Sequence, residues 1–188
     1  MIDIAGGSIK FGNNIEGEIM IKSELRYEAI KSPIGDIIIA EYLGKIVFLE
    51  FLGNNRAKMI LDKISKLLDI KPQKGPTPIL KRAEKQLNQY FVGKLRDFDL
   101  PIQLIGTDFQ KSVWRQLNSI RFGDTKDYGW MAKKVKNNSA RAAGQAIGKN
   151  PISIIVPCRR VIGKNGSLTG FGGGLERKKW LLEHEGAL

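Results

Sequence analysis

The chain has 188 residues and 42% hydrophobic content, enough for one ordinary domain or two small ones with a proper core. No uninterrupted apolar run approaches the ~20 residues of a membrane span, and residues 1–14 lack the basic-then-apolar order of a secretory signal, so the sequence predicts a cytoplasmic protein that does not associate with membranes. The net charge of +12 points to polyanionic partners, and residues 102–188 hold 15 Lys and Arg against 6 Asp and Glu, whereas residues 1–101 hold 16 against 13.

In chain order, residues 1–19 are rich in Gly and Asn and read as a tail. Strand-like segments follow at residues 19–30, 36–42 and 45–51, broken by Ser32-Pro33-Ile34-Gly35 and by Gly44, which predicts an antiparallel meander. Apolar periodicity then predicts helices over residues 56–68 and 78–91. Asp97 and Asp99 form no recognisable metal or acid site without further ligands and read as solvated. Residues 100–106 read as a linker, which divides the chain into an N-terminal unit over 20–100 and a C-terminal unit over 101–188.

Beyond the linker, Thr107 with Gln110 is a capping-box pattern, and Phe109, Val113, Leu117 and Ile120 mark one helical face. Asp127 is placed to cap a short helix over 128–135. Asn137-Asn138-Ser139 punctuates, and a second short helix runs over 140–148, so the pair reads as a helix-turn-helix. The second helix is nearly smooth: Ala140, Ala142, Ala143, Gly144 and Ala146 leave Arg141 as its one long side chain near the start. Such a surface suits tight helix packing or close approach to the narrow minor groove of DNA, which offers less to long polar side chains than the major groove does.

Cys158 is the only cysteine. It cannot form an intramolecular disulfide, has no Cys-x-x-Cys partner, and cannot build a thiolate zinc site with one histidine, so no metal or cofactor is expected. An unpaired cysteine is often a small buried hydrophobe, but Arg159 and Arg160 follow directly, and neighbouring cations favour a nucleophilic thiolate.

With these features in place, the chain resembles the O6-alkylguanine-DNA alkyltransferases, the single-use methylated-DNA-protein-cysteine methyltransferases. The resemblance rests on Phe109-Gln110, Val113-Trp114, Gly123-Asp124-Thr125, Tyr128-Gly129, Ala140-Arg141-Ala142, Gly148-Lys149-Asn150-Pro151, Ile155-Val156-Pro157-Cys158 with Arg160-Val161, Gly170-Phe171-Gly172-Gly173-Gly174, and Lys178-Lys179-Trp180-Leu181-Leu182 with His184-Glu185-Gly186. It covers nearly all of residues 107–188. The N-terminal half agrees loosely, in length and strand-then-helix order. The fold implied is mixed α/β (α+β): a strand-rich ribonuclease-H-like domain, then a mainly helical winged-helix-like domain carrying the helix-turn-helix.

The resemblance implies that Cys158 accepts the alkyl group, Asn150 braces its turn, Tyr128 donates a hydrogen bond to the guanine ring, and Glu185 belongs to the network that tunes the thiol. Arg141 would fill the gap left by a flipped nucleotide, with Ala140, Ala142 and Gly144 along the same helix. Gly129, Asn138, Gln110, Lys111 and Lys164 would fall near DNA backbone or lesion. The implied partner is double-stranded DNA containing O6-alkylguanine, with O4-alkylthymine as a further substrate, bound by a monomer. One position departs from the family: its motif has histidine after the cysteine, and this chain has Arg159, which stays charged and cannot relay a proton. Two roles follow for Arg159, direct electrostatic lowering of the thiol pKa with Glu185 taking the proton through water, or a contact with phosphate. A lesion sensor that does not repair, a helix-turn-helix regulator and a cysteine hydrolase remain alternatives on the sequence.

Overall fold

The computed structural model describes residues 23–53, 55–136 and 139–188. The expected tail, residues 20–22 and Asn138 lie outside them. Strands β1 (Leu25–Ile30), β2 (Ile37–Tyr42) and β3 (Lys45–Phe51) form the antiparallel meander, and β4 (Gln73–Lys74) adds a short parallel pair to β1, giving the order β3-β2-β1-β4. The first strand begins at Leu25, six residues later than the apolar pattern placed it.

Register decides which side chains reach which core. Ala40 faces Phe48 while Glu41 faces Ile46, so Val47 is an extra residue on β3. Because side chains alternate along a strand, one inserted residue returns Ile46 to the same face as Leu49 and Phe51. Those three join the larger core, whereas Val47 and Phe48 join the smaller one, under helix α1 (Asn55–Leu68) through Ala57 and Ile64.

The opposite face of the sheet takes α2 (Pro78–Phe91), which buries Leu80, Ala83, Leu87 and Tyr90. Thr77 caps it, its hydroxyl accepting from the Leu80 amide at 3.3 Å, with Pro78 in the first turn, where a missing amide proton costs nothing. The expected linker does not hang free. Ile46 donates to the Pro101 carbonyl at 2.8 Å and accepts from the Gln103 amide at 2.9 Å, so these residues cover the outer edge of β3.

The helical half contains α3 (Asp108–Leu117), α4 (Tyr128–Lys134), α5 (Ala140–Gly148) and α6 (Leu175–His184), with a short parallel pair of β5 (Lys126–Asp127) and β6 (Val161–Ile162). The capping box of α3 is formed on both sides, Thr107 and Gln110 exchanging bonds of 3.3 and 3.0 Å. Ile120 is buried but lies past the end of the helix, which stops at Leu117 in a tight turn. Asp127 caps α4 and Ser139 caps α5, accepting at 2.8 and 3.1 Å. Trp114 anchors α5 from α3, its indole donating to the Ala146 carbonyl at 2.8 Å. The larger core runs continuously from Ile37 and Leu87 to Val113, Ile152 and Leu181. The mixed architecture, strand-rich then helical, is the expected one. No helix among the described residues is long and apolar enough to cross a membrane.

Candidate active site

Cys158 opens a one-turn 3-10 helix, Cys158–Arg160, and is buried. The preceding turn is held from two directions. At its start, Leu49 on β3 donates to Pro151 at 2.9 Å and accepts from the Ser153 amide at 2.8 Å, so the N-terminal sheet carries the loop as though it were another strand. Inside it, Ile154 has φ of +70°. A β-branched residue in the left-handed region is strained and persists only where surrounding contacts impose it.

Asn150 supplies several of those contacts. Its side-chain amide donates to the Val156 carbonyl at 3.1 Å and to the Cys158 sulfur at 3.2 Å, while its oxygen accepts from the Ile152 amide at 3.1 Å. The N-terminal half braces it in turn. Arg56 donates to the Asn150 carbonyl at 3.1 Å and to Glu50 at 2.8 Å, and the Ser153 hydroxyl donates to the same Glu50 oxygen at 3.2 Å. Glu50, Arg56 and Ser153 carry no local sequence signal for this task, because they meet only through the pairing of β3 with the loop.

Arg159 turns inward and is 1% exposed, so it does not point to phosphate. Its guanidinium donates to Glu185 through Nε at 2.8 Å and through Nη2, and to the strained Ile154 carbonyl through Nη1 at 2.7 Å. Arg160 donates to the other Glu185 oxygen at 2.8 Å and to the Ile120 carbonyl at 2.7 Å. Tyr90, from α2, donates its hydroxyl to Glu185 at 2.9 Å and packs its ring 5.4 Å from the Arg159 carbon. Burial alone would push the Glu185 carboxyl up, but the two arginines reverse this and hold it below the ordinary carboxylate range. A carboxylate so engaged is a poor acceptor for a thiol proton.

The expected lowering of the thiol by Arg159 is not the net result. Burial pushes Cys158 up, and the Asn150 hydrogen bond and the charges of Arg159 and Arg56 offset only part of that, while Glu50 adds to it. Burial is the larger effect, and Arg159 offsets only part of it while directing its donors to Glu185 and Ile154, not to sulfur.

Tyr128 lines an open cleft of about 630 Å³, together with Ala140, Arg141, Gly144 and Gly148 on α5 and residues 169–172 of the opposite loop. Its hydroxyl donates to the Thr169 carbonyl at 3.1 Å, and the Thr169 hydroxyl donates back to it at 3.2 Å. Gly144 explains part of the smooth helix, since a Cβ there would come within 3.3 Å of the Tyr128 ring. Ala140, Arg141 and Lys164 are exposed, and Ala142 and Gly129 are partly so. Gln110 spends its side-chain oxygen on the α3 cap, and Lys111 pairs with Asp108 at 3.0 Å. His184 lies stacked on Trp180 with Nε2 2.7 Å from the Tyr90 carbonyl, a structural position. A second cavity of about 260 Å³, lined by Arg96, Asp97, Asn118, Arg159 and Arg160 among others, shares no wall with the cleft. Asp99 bonds to Arg82 on the surface.

A buried sulfur on a braced turn, a tyrosine in a cleft, and a smooth capped helix that walls this cleft define a protein of mixed α/β fold with a single-cysteine site. Comparison with known proteins agrees. Residues 25–104 match the model of the 6-O-methylguanine DNA methyltransferase ribonuclease-like domain, and residues 108–187 match that family's DNA binding domain. The methylated-DNA--protein-cysteine methyltransferase of Methanosarcina acetivorans is 40% identical over 162 residues, spanning 86% of this chain and 98% of that protein. Its Mycobacterium bovis namesake is 41% identical over 163 residues, 86% of this chain and 92% of that protein. The solved structure of Mycobacterium tuberculosis OGT in complex with DNA superposes with a TM-score of 0.74 at 41% identity, covering 86% of this chain and 93% of that one. The chain belongs to the 6-O-methylguanine DNA methyltransferase family.

Proposed function

We propose that this protein repairs DNA by direct reversal, moving the alkyl group of O6-alkylguanine in duplex DNA onto Cys158, once per molecule and without a cofactor. The observation that carries the reading is the Asn150–Cys158 turn: a lone sulfur is held on a braced, strained loop that follows a small-residue helix, and that helix walls a tyrosine-lined cleft. The lesion is an alkyl group on an aromatic oxygen, and a soft thiolate suits displacement at its saturated carbon. The S–C bond forms as the C–O6 bond breaks, and the electron pair leaves with the guanine. A proton then returns to the ring from solvent, with the Tyr128 hydroxyl assisting the developing charge. The thioether product has no easily expelled group, so the sulfur is not regenerated.

The base must leave the stack to be reached, at a cost of a few kcal/mol that Arg141, exposed at the start of α5, offsets by filling the gap. The surplus of nine positive charges in residues 102–188 supplies sequence-independent phosphate binding. In this reading Glu185 is an ionised anchor for Arg159 and Arg160, and the thiol proton is lost to solvent. The protein acts as a cytoplasmic monomer, with the ribonuclease-like unit ending near residue 100 and the alkyl-acceptor unit following. Incubation with duplex DNA carrying one O6-methylguanine is expected to add one methyl per molecule by intact mass, mapped to the Cys158 peptide and absent in Cys158→Ser. A folded protein that gains no methyl rules the function out.

A further inference from the structure

Lys178, on α6, is fully buried, and nothing in the chemistry above uses it. Its ammonium donates to two backbone carbonyls, Val161 at 2.6 Å and Thr169 at 2.7 Å. Val161 directly follows the 3-10 helix of Cys158, and Thr169 stands in the loop that walls the cleft. The same Thr169 carbonyl also accepts the Tyr128 hydroxyl. One lysine therefore ties the cysteine turn to the cleft loop and shares an acceptor with the tyrosine that faces the lesion.

We infer that Lys178 is a positioning residue for alkyl transfer, its ammonium holding the 169–172 loop against the Cys158 turn and fixing the direction of the Tyr128 hydroxyl. The inference rests on the function proposed above. Two carbonyls stabilise an ammonium less than a carboxylate would, and burial pulls Lys178 down to about 8, opposed by its attraction to Cys158. Among the described residues, Cys158 on the 3-10 helix acts on its charge and Tyr128 shares its Thr169 acceptor; its charged neighbours along α6 are the exposed Glu176 and Lys179 and Arg177, which bonds to the Ile34 and Gly173 carbonyls.

The sign of the pH effect separates positioning from mere support. The folded protein binds fewer protons at Lys178 than the unfolded chain between about 8 and the unfolded value of about 10.4, so this group's contribution to stability rises with pH across that window. The charge-assisted strap weakens over the same window. Transfer should therefore slow where this residue makes the fold more stable.

The test uses the full-length protein in single-turnover transfer from duplex O6-methylguanine DNA at saturating concentration between pH 6 and 9.5, with iodoacetamide labelling of Cys158 measured in parallel. In wild type the ratio of transfer to labelling should decline above about pH 8, since labelling keeps rising with thiolate while transfer levels off. Lys178→Gln should transfer roughly 10- to 100-fold more slowly at pH 7, as expected for a misdirected group, with duplex affinity within about twofold and no alkaline decline. Lys178→Arg, whose charge persists, should move the decline beyond the tested range. Wild-type transfer in Lys178→Gln, or an unmoved decline in Lys178→Arg, overturns the inference; the arginine variant decides alone if the glutamine variant does not fold. Failure of wild type to gain a methyl at all would instead overturn the function.

Discussion

Arg159 shows what an arginine in place of the family's histidine can do: it braces the turn with donors that are always charged. A histidine at this position would titrate near the working pH and pass a proton onward. Arg159 does neither, yet it makes three bonds that a histidine's two ring nitrogens cannot all make, two to Glu185 and one to the strained Ile154 carbonyl. The transfer rate of the wild-type protein should consequently rise with the thiolate fraction, without an inflection between about pH 5.5 and 7.5, until the Lys178 effect sets in above about pH 8, because burial pushes the thiol ionisation above its ordinary value. Arg159→His should introduce an inflection near about 6.5. It should also lower the rate, because the Ile154 turn loses its tether. Single-turnover rates against pH decide the matter, and a wild-type inflection near neutrality would mean that another group relays the proton. Sequence made Cys158 visible by itself, as a sole thiol followed by two arginines, and Asn150 and Tyr128 through the family resemblance of the segments that hold them. It could not show that Arg159 faces Glu185, since that direction depends on Tyr90 of α2 and on Ile154 adopting positive φ.

Among the elements, apolar periodicity and turn residues made β2, β3, α1 and α2 legible, and side-chain caps did the same for the later helices. Thr107, Asp127 and Ser139 each satisfy an amide that the helix cannot, so the starts of α3, α4 and α5 follow from local chemistry. The β3 bulge was not legible. Val47 is as good a strand residue as its neighbours, and only the Ala40–Phe48 pairing makes it the extra one. The smooth face of α5 admitted two readings, tight packing or close approach to DNA, and the structure supports the packing one at two kinds of residue: Ala143 and Ala146 are core, while Gly144 leaves room for the Tyr128 ring. Gly144→Ala separates these roles. Alanine favours the helix by up to ~1 kcal/mol, whereas its Cβ would press on the Tyr128 ring at 3.3 Å. The variant should therefore unfold at an unchanged or higher temperature and still transfer methyl several-fold more slowly at saturating DNA. Equal transfer rates would show that Tyr128 moves aside without consequence.

Across the whole molecule, the composition suggested two units meeting at a linker, and charge does divide them, but mechanics does not. Residues 101–103 and 151–153 both pair with the edge of β3, and the larger core crosses the division without a break. The most telling crossing is polar. Glu50 is fully buried, and its charge is met by Arg56, which also reaches across to Asn150. Among the described residues, Arg56→Met would leave that carboxylate buried with the Ser153 hydroxyl and the Phe51 amide as partners. Breaking a buried pair in this way costs on the order of 3–5 kcal/mol. The molecule carries its own reporter for where that cost is felt, because all three tryptophans lie in residues 102–188 while the mutation lies in the N-terminal half. In denaturant, Arg56→Met should move the tryptophan fluorescence midpoint as far as the far-ultraviolet dichroism midpoint, in one transition. A fluorescence midpoint left in place while dichroism shifts would mean that the alkyl-acceptor half stands independently and that the sheet does not hold the cysteine turn.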